Sequence, residues 1–145
     1  MAGSVDTRRV VLITGCSSGI GRALATEFAS YNSERDFRVF ATARNPESLR
    51  DLPSTIDRVC LDVTNEESTQ AAVKSIIDQV GRIDVLVNNA GVNTAVGPSV
   101  EVDLDRFRST FEANYFGLIR VTQAVTPHMI QRKKGTIINI GSTVG

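Results

Sequence analysis

The chain is poor in the residues from which metal centres and disulfide frameworks are built. Its 145 residues include two cysteines, Cys16 and Cys60, and one histidine, His128. That count excludes a four-ligand zinc site and a disulfide network, and no metal site is expected. Two separate thiols fit a reducing compartment, so the expected location is cytoplasmic or cytosol-facing. Tryptophan is absent and the four prolines are widely separated, so no proline-rich linker divides the chain. No apolar run approaches the roughly 18 residues of a membrane span, and residues 1–9 are short of apolar character. Sixteen Lys+Arg balance sixteen Asp+Glu to a formal charge of zero. With the basic residues scattered, no sequence-wide field draws in nucleic acid or an anionic membrane surface. A small-molecule partner is the expectation.

What is present is enough apolar material for one core. Hydrophobic residues make up 41% of the chain, and a domain of this size buries roughly 70% of the surface its unfolded chain exposes. No internal repeat or low-complexity tract interrupts it, so residues 1–145 read as one domain. Val10-Val11-Leu12-Ile13 is a continuous, mostly β-branched run of the kind buried on both faces of a parallel sheet. Similar runs predict strands at 37–42, 58–61, 85–87 and 136–140.

Helical spacing fills the gaps. Ile20, Leu24 and Phe28 lie four apart, and Val73, Ile76, Ile77 and Val80 form one helical face. Thr64-Asn65-Glu66-Glu67 reads as a capping box and Gly81 as a stop. A long helix is expected over 103–133, with Leu104, Phe107, Phe111, Leu118, Val121 and Val125 on one side. Pro127 should bend or break it, because its missing N–H frees the Gln123 carbonyl. Strands alternating with helices predict right-handed crossovers and a mainly parallel α/β sheet.

The first strand runs into Thr14-Gly15-Cys16-Ser17-Ser18-Gly19-Ile20-Gly21 and then into a helix. Glycines there let the backbone turn sharply and approach a pyrophosphate, whose charge the helix start attracts. A glycine-rich turn alone is weak; in this strand-turn-helix context it points to a dinucleotide site. No Gly-Lys-Ser/Thr follows, so it is not a P-loop. The end of the second strand selects the cofactor, a carboxylate favouring NAD and a cation NADP. Here it reads Ala41-Thr42-Ala43-Arg44, and Asp36 lies before the strand, at the wrong end. Arg44, with the Ser17 and Ser18 hydroxyls, favours the extra phosphate of NADP(H).

These residues resemble the short-chain dehydrogenase/reductase family. Thr14 to Gly21 match its TGxxxGIG loop in full, and Asn88-Asn89-Ala90-Gly91 match its NNAG motif after the fourth strand. The resemblance implies a Rossmann-type doubly wound parallel sheet, truncated here after the fifth strand. It also implies NADPH-dependent hydride transfer between nicotinamide and a carbonyl or alcohol. Asp62 and Val63 would contact the adenine, and Asn89, Ala90 and Gly91 would lie along the cofactor. The same asparagines also suit a strand-end turn that binds its own backbone. Asn114, placed by helical spacing beside Phe107, Phe111, Leu118 and Val121, is expected to be a buried amide in need of partners. Taken alone it would satisfy a loop or a water; by resemblance it is the active-site asparagine that holds a water in the proton relay and bends its helix. Ser142 would orient the substrate oxygen, with Thr143 a neighbouring hydroxyl.

The family's acid/base pair, Tyr-x-x-x-Lys, has no counterpart here: Tyr31 is followed four residues on by Arg35, and Tyr115 by Ile119. The expectation is the amino-terminal part of a longer fold; the rivals are a non-catalytic NADP(H)-binding module and an inactive fragment. The segments 16–21 and 41–46 look most like acyl-dihydroxyacetone-phosphate reductases and 17β-hydroxysteroid dehydrogenases. That implies a lipid-like or steroid-like substrate, with membrane or lipid-droplet association by resemblance only. Complete family members are homo-oligomers that pair the long helix across an interface. Ile137, Ile138 and Ile140 are expected on an exposed edge strand. Arg132-Lys133-Lys134 reads as a solvated helix-end run, His128 as a helix-surface residue, and Cys16 as a small packing residue.

Overall fold

The computed structural model describes residues 6–31 and 37–142; Asp36, Arg35 and Thr143 lie outside them. The apolar runs form five parallel strands, β1 (Arg9–Ile13), β2 (Phe37–Ala43), β3 (Asp57–Cys60), β4 (Val85–Asn88) and β5 (Thr136–Asn139), in the spatial order β3-β2-β1-β4-β5. Each strand lies within a residue or two of its expected place. Between them run α1 (Gly19–Ser30), a 3₁₀ turn (Pro46–Leu49), α2 (Glu66–Val80), α3 (Leu104–Phe111), a π turn (Glu112–Phe116) and α4 (Gly117–Gln131).

Alternation along the buried strands splits the core into two layers. Val10 and Leu12 face α2 and α4, packing with Val73, Ile76, Val121 and Val125. Val11 and Ile13 face the other way, with Ala25 of α1 and Leu49 of the 3₁₀ turn. All four β1 residues are fully buried, which explains why the run is apolar without alternation. β5 forms the edge, and Ile137, Ile138 and Ile140 are 40%, 37% and 37% exposed, as expected.

Three local expectations are corrected. The cap of α2 is Asn65, whose side chain accepts from the Ser68 N–H. Thr64 cannot serve, because its N–H and hydroxyl both bond Asp62 Oδ1 in a tight turn. Gly81 closes the helix in the left-handed region, as expected (φ 74°). The stretch 103–133 is not one helix with one apolar stripe. The π turn inserts an extra residue and rotates the faces relative to each other. Val121, Ala124, Val125 and Met129 are therefore buried, whereas Leu104 and Phe111 are each 58% exposed. Finally, α4 continues through Pro127 without a break. Gln123 and Pro127 both lie on its exposed side, where water can satisfy the freed carbonyl.

At the amino ends of the strands, a buried carboxylate gathers the chain. Asp84 accepts from the Val10 N–H at 2.8 Å, from Arg132 at 2.7 Å and from Arg82 at 3.1 Å. Arg132 is thus a clamp rather than a solvated residue, and Lys133 takes a left-handed conformation (φ 52°) as the chain turns into β5. Burial pushes the Asp84 carboxyl up, but the Val10 N–H and the two guanidinium groups outweigh it and hold it below the usual carboxylate range. Asp6, gripped by the Arg8 side chain and bonded also by Arg38, is held well below that range despite partial burial.

A depressed folded-state pKa contributes stability that is present above the unfolded value, near 3.9, and lost as pH falls through the folded one. Asp84→Asn should therefore lower stability at neutral pH by about 1–3 kcal/mol, since two half-buried guanidinium groups lose their charged partner. Chemical denaturation measured from pH 7 downwards checks this: the gap between the two proteins should narrow only below about pH 4. A constant gap across that range would show that Asp84 acts through packing alone.

Candidate functional site

The loops after β1 and β4 are locked together by one hydroxyl and one amide. Thr14 Oγ1 accepts from the Asn89 and Ala90 N–H groups, each at 3.0 Å. In return, Asn89 Nδ2 donates to the carbonyls of Thr14 (3.0 Å) and Gly15 (3.1 Å). The strand-end turn reading of these residues is thereby accounted for: Asn89 binds the neighbouring loop instead of its own. Glycine is required where the loops touch. Gly15 is left-handed (φ 71°), and a β-carbon on it would lie 2.7 Å from Ala90 Cα. A β-carbon on Gly21 would collide with the Gly15 carbonyl oxygen and the Asn89 amide.

Cys16 packs beneath this junction, as the sequence suggests. It is fully buried and its thiol donates to the Ile13 carbonyl. Burial pushes the thiol up to about 11, so it is not a nucleophile at neutral pH.

Above the locked loops lies an open cleft of about 430 Å³ along the carboxyl edge of the sheet. It sits where α1 and α4 leave β1 and β4 for opposite faces, the position at which open α/β sheets bind ligands. Of the residues singled out from sequence, Gly15, Ser17, Ser18, Ile20, Arg44, Asp62, Val63, Asn89, Ala90 and Gly91 line it. Gly19 and Gly21 do not line it but shape the turn beneath it, Gly19 by its left-handed backbone (φ 56°).

Sequence reasoning missed Ala43, Asn45, Ser48, Leu61, Thr64, Val92 and Ala113, which also line the cleft. For two of these a signal existed. Asn45-Pro46 is a capped start of a short turn, with Asn45 Oδ1 accepting from the Glu47 N–H, and it carries Ser48 to the cleft wall. The others are neighbours of motif residues with no chemical signature of their own.

The polar groups around the cleft are unevenly committed. Asn65 and Asp103 cap α2 and α3 with their side chains. Ser18, the residue before α1, makes no side-chain cap, and the first turn of α1 has no acidic residue. The positive end of that helix therefore faces the cleft uncompensated. Arg44 is exposed, and its guanidinium has no ion pair or hydrogen bond among the described residues. Asp62, which lines the cleft, uses Oδ1 for the Thr64 turn and leaves Oδ2 without a hydrogen bond among the described residues.

Asn114 corrects an expectation. It is exposed rather than buried, because the π turn rotates it away from the Val121 face. Its amide is nonetheless fully engaged: Oδ1 accepts from the Val92 N–H at 2.7 Å and Nδ2 donates to the Val92 carbonyl at 2.8 Å. The side chain thus closes a loop, meeting the cleft at Val92 and lying close to Gly91. The helix irregularity implied for this residue is present at its position. Ser142 follows β5 on the same carboxyl edge, is exposed and does not line the cleft. His128 is half-buried on α4.

Comparison with known proteins now has a fold and a site to stand on. The short chain dehydrogenase family profile matches residues 9–145, and the chain belongs to that family. It is 38% identical over 148 residues to retinol dehydrogenase 8 of Bos taurus, covering 97% of this chain and 46% of that one. It is 36% identical over 140 residues to the NADP-dependent 3-hydroxy acid dehydrogenase YdfG of Salmonella typhi, covering 94% and 55%. The chain spans about half the length of these curated relatives.

Among solved structures, a metagenomic short-chain oxidoreductase in complex with NADP superposes with a TM-score of 0.85 at 31% identity, over 97% of this chain and 65% of that one. The F189W actinorhodin polyketide ketoreductase with NADPH gives 0.84 at 34% identity, over 94% and 54%. The Rossmann-type sheet is thus shared with family structures that hold NADP or NADPH. No helix among the described residues is long and apolar enough to cross a membrane.

The lock between the loops makes a direct prediction. Thr14→Val keeps the shape but leaves the Asn89 and Ala90 N–H groups without their acceptor, and should cost about 2–3 kcal/mol in denaturant unfolding. Thr14→Ser should retain most of the stability. Equal losses in both variants would mean that the methyl group, not the hydroxyl, holds the junction.

Proposed function

We propose that residues 1–145 form the NADP(H)-binding domain of a short-chain oxidoreductase that exchanges hydride between the nicotinamide and a small carbonyl or alcohol. The observation that carries this reading is the gathering, in one cleft, of an uncompensated helix start, an arginine side chain without a partner among the described residues, and a carboxylate with one oxygen likewise unbonded there. Each matches a different part of one dinucleotide. The diphosphate belongs at the start of α1, where Gly15 brings bare backbone to the cleft wall and Gly19 shapes the turn beneath it. Arg44 and the Ser17 and Ser18 hydroxyls suit the 2′-phosphate of NADP, and Asp62 suits the adenine amino group. Asn89, Ala90 and Gly91 continue the groove towards the nicotinamide half. The NADP-dependent relative and the two NADP(H)-bound structures support the choice of cofactor.

Bound there, the dinucleotide supplies the hydride. The chain's own residues bind it and shape what lies beside it. Asn114 fixes the Val92 peptide, which would lie at the nicotinamide end of the cleft, and Ser142, just after β5, would orient a substrate oxygen. A lipid-like or steroid-like substrate is the finer reading, supported by the resemblance in the phosphate loop and by the retinol dehydrogenase among the relatives. The exposed apolar side of α3 supports pairing with a second copy in the assembled protein. A second reading rests on the missing Tyr-x-x-x-Lys pair: a module that binds NADP(H) and carries out no hydride chemistry.

Fluorescence titration with NADPH and NADH tests the binding common to both readings. Wild type should prefer NADPH, and Arg44→Glu should weaken NADPH by roughly 10–100-fold, the size of one or two charge-assisted hydrogen bonds, with little change for NADH. Equal affinities in wild type, or NADPH binding untouched by the substitution, would remove Arg44 from the site.

A further inference from the structure

We infer that Arg120 is a positioning residue for dinucleotide binding, holding two walls of the cleft at a fixed separation from behind; the inference rests on the NADP(H) reading above. Arg120 lies on α4, outside the cleft lining, and its side chain is 19% exposed. Its guanidinium meets three separate pieces of chain. One Nη donates to the Val63 carbonyl, the other to Glu112 Oε1 at 2.8 Å, and Nε lies 3.3 Å from Glu66 Oε2. Val63 belongs to the turn after β3 that carries Asp62. Glu66 starts α2, and Glu112 opens the π turn, two residues before Asn114.

Gly117, one turn earlier on α4, passes so close to Val63 that a β-carbon on it would lie 2.8 Å from Val63 Cγ2 and 3.2 Å from the Val63 carbonyl oxygen. With no side chain at Gly117, α4 and the β3–α2 turn are in direct contact, and Arg120 reaches across to the Val63 carbonyl. Both pieces it joins present residues to the cleft. Asp62, Val63 and Thr64 form the adenine-side wall, while Ala113 and, through Asn114, Val92 form the wall near Gly91. A planar fork with donors on three nitrogens suits this task, whereas a lysine's three donors share one nitrogen and cannot span acceptors set around a guanidinium. Loss of the fork should therefore let the two walls move independently, although no atom of Arg120 touches the ligand.

The test compares wild type, Arg120→Met and Arg120→Lys, with NADPH and with 2′,5′-ADP, which engages only the adenosine half. Thermal unfolding is recorded for each, and hydrogen exchange is followed without ligand at residues 61–64 and 112–116. Arg120→Met should weaken both ligands by about tenfold, the scale of one charge-assisted hydrogen bond. It should also raise exchange at both segments, and Arg120→Lys should recover part of the affinity.

A folded Arg120→Met that binds both ligands like wild type would overturn the inference. So would an affinity loss that merely follows the melting temperature and is no smaller in Arg120→Lys. If Arg120→Met does not fold, Glu112→Gln replaces it, with the same expected rise in exchange at 61–64, across the cleft from the substitution. If wild type binds neither ligand, the NADP(H) reading fails; exchange then decides about Arg120 separately, and unchanged protection at both segments would overturn its positioning role.

Discussion

The site depends on how two adjacent parallel strands part company. β1 sends its chain to α1 on one face of the sheet, and β4 leads to α4 on the other, so the loops at their carboxyl ends diverge and open a cleft. Divergence alone would leave two independent loops. Thr14 and Asn89 prevent that by anchoring four hydrogen bonds across the gap, two between them and one each to Ala90 and Gly15, and Gly15 and Gly21 allow the backbones near enough for those bonds to form. The phosphate loop is therefore held from the side as well as from its own helix. Removing a hydroxyl from Thr14 or adding a methyl to Gly21 acts on the same junction from opposite directions, one by leaving donors bare and the other by overfilling.

A second lock at the far end of the same strands serves the fold rather than the site. Asp84 binds the start of β1 through Val10 and the end of α4 through Arg132, so β1, β4 and the approach to β5 converge on one carboxylate. The sequence gives both locks little emphasis. Thr14 reads as the first letter of a glycine motif and Asp84 as an ordinary acidic residue before a strand. Their weight comes from partners 48 to 76 residues away in sequence, which no local pattern encodes.

What the sequence does encode is local. Fully buried strands such as β1 show as unbroken β-branched runs because both faces are covered, and Gly81 and the 3₁₀ turn carry their own stop and start signals. The glycine loop after β1, Arg44 and the residues of 88–91 were legible because special backbone and charge stand there at the fixed places of a family motif. Asn114 was legible as important but not in its setting. Periodicity places it on the buried face of a regular helix, whereas the π turn resets the phase and sends its amide to Val92. A single inserted residue is invisible to a pattern read at constant period. The same break accounts for Leu104 and Phe111, which read as core and lie at the surface.

That phase break has a structural use. A regular helix over 103–133 would present one face, and burying it against α2 and the sheet would carry position 114 inward with it. With the extra residue, α4 keeps Val121, Val125 and Met129 in the core while the preceding segment turns to face residues 92–94. There Asn114 holds Val92, and Thr110 holds Thr94, at intervals of one turn along the same side. The loop after β4 is thereby fastened to the helix at two points, and its first residues continue the wall begun by Asn89, Ala90 and Gly91. An irregularity that costs helix regularity at one point thus lets a single stretch of chain serve two surfaces, the core beneath the sheet and the rim of the cleft above it.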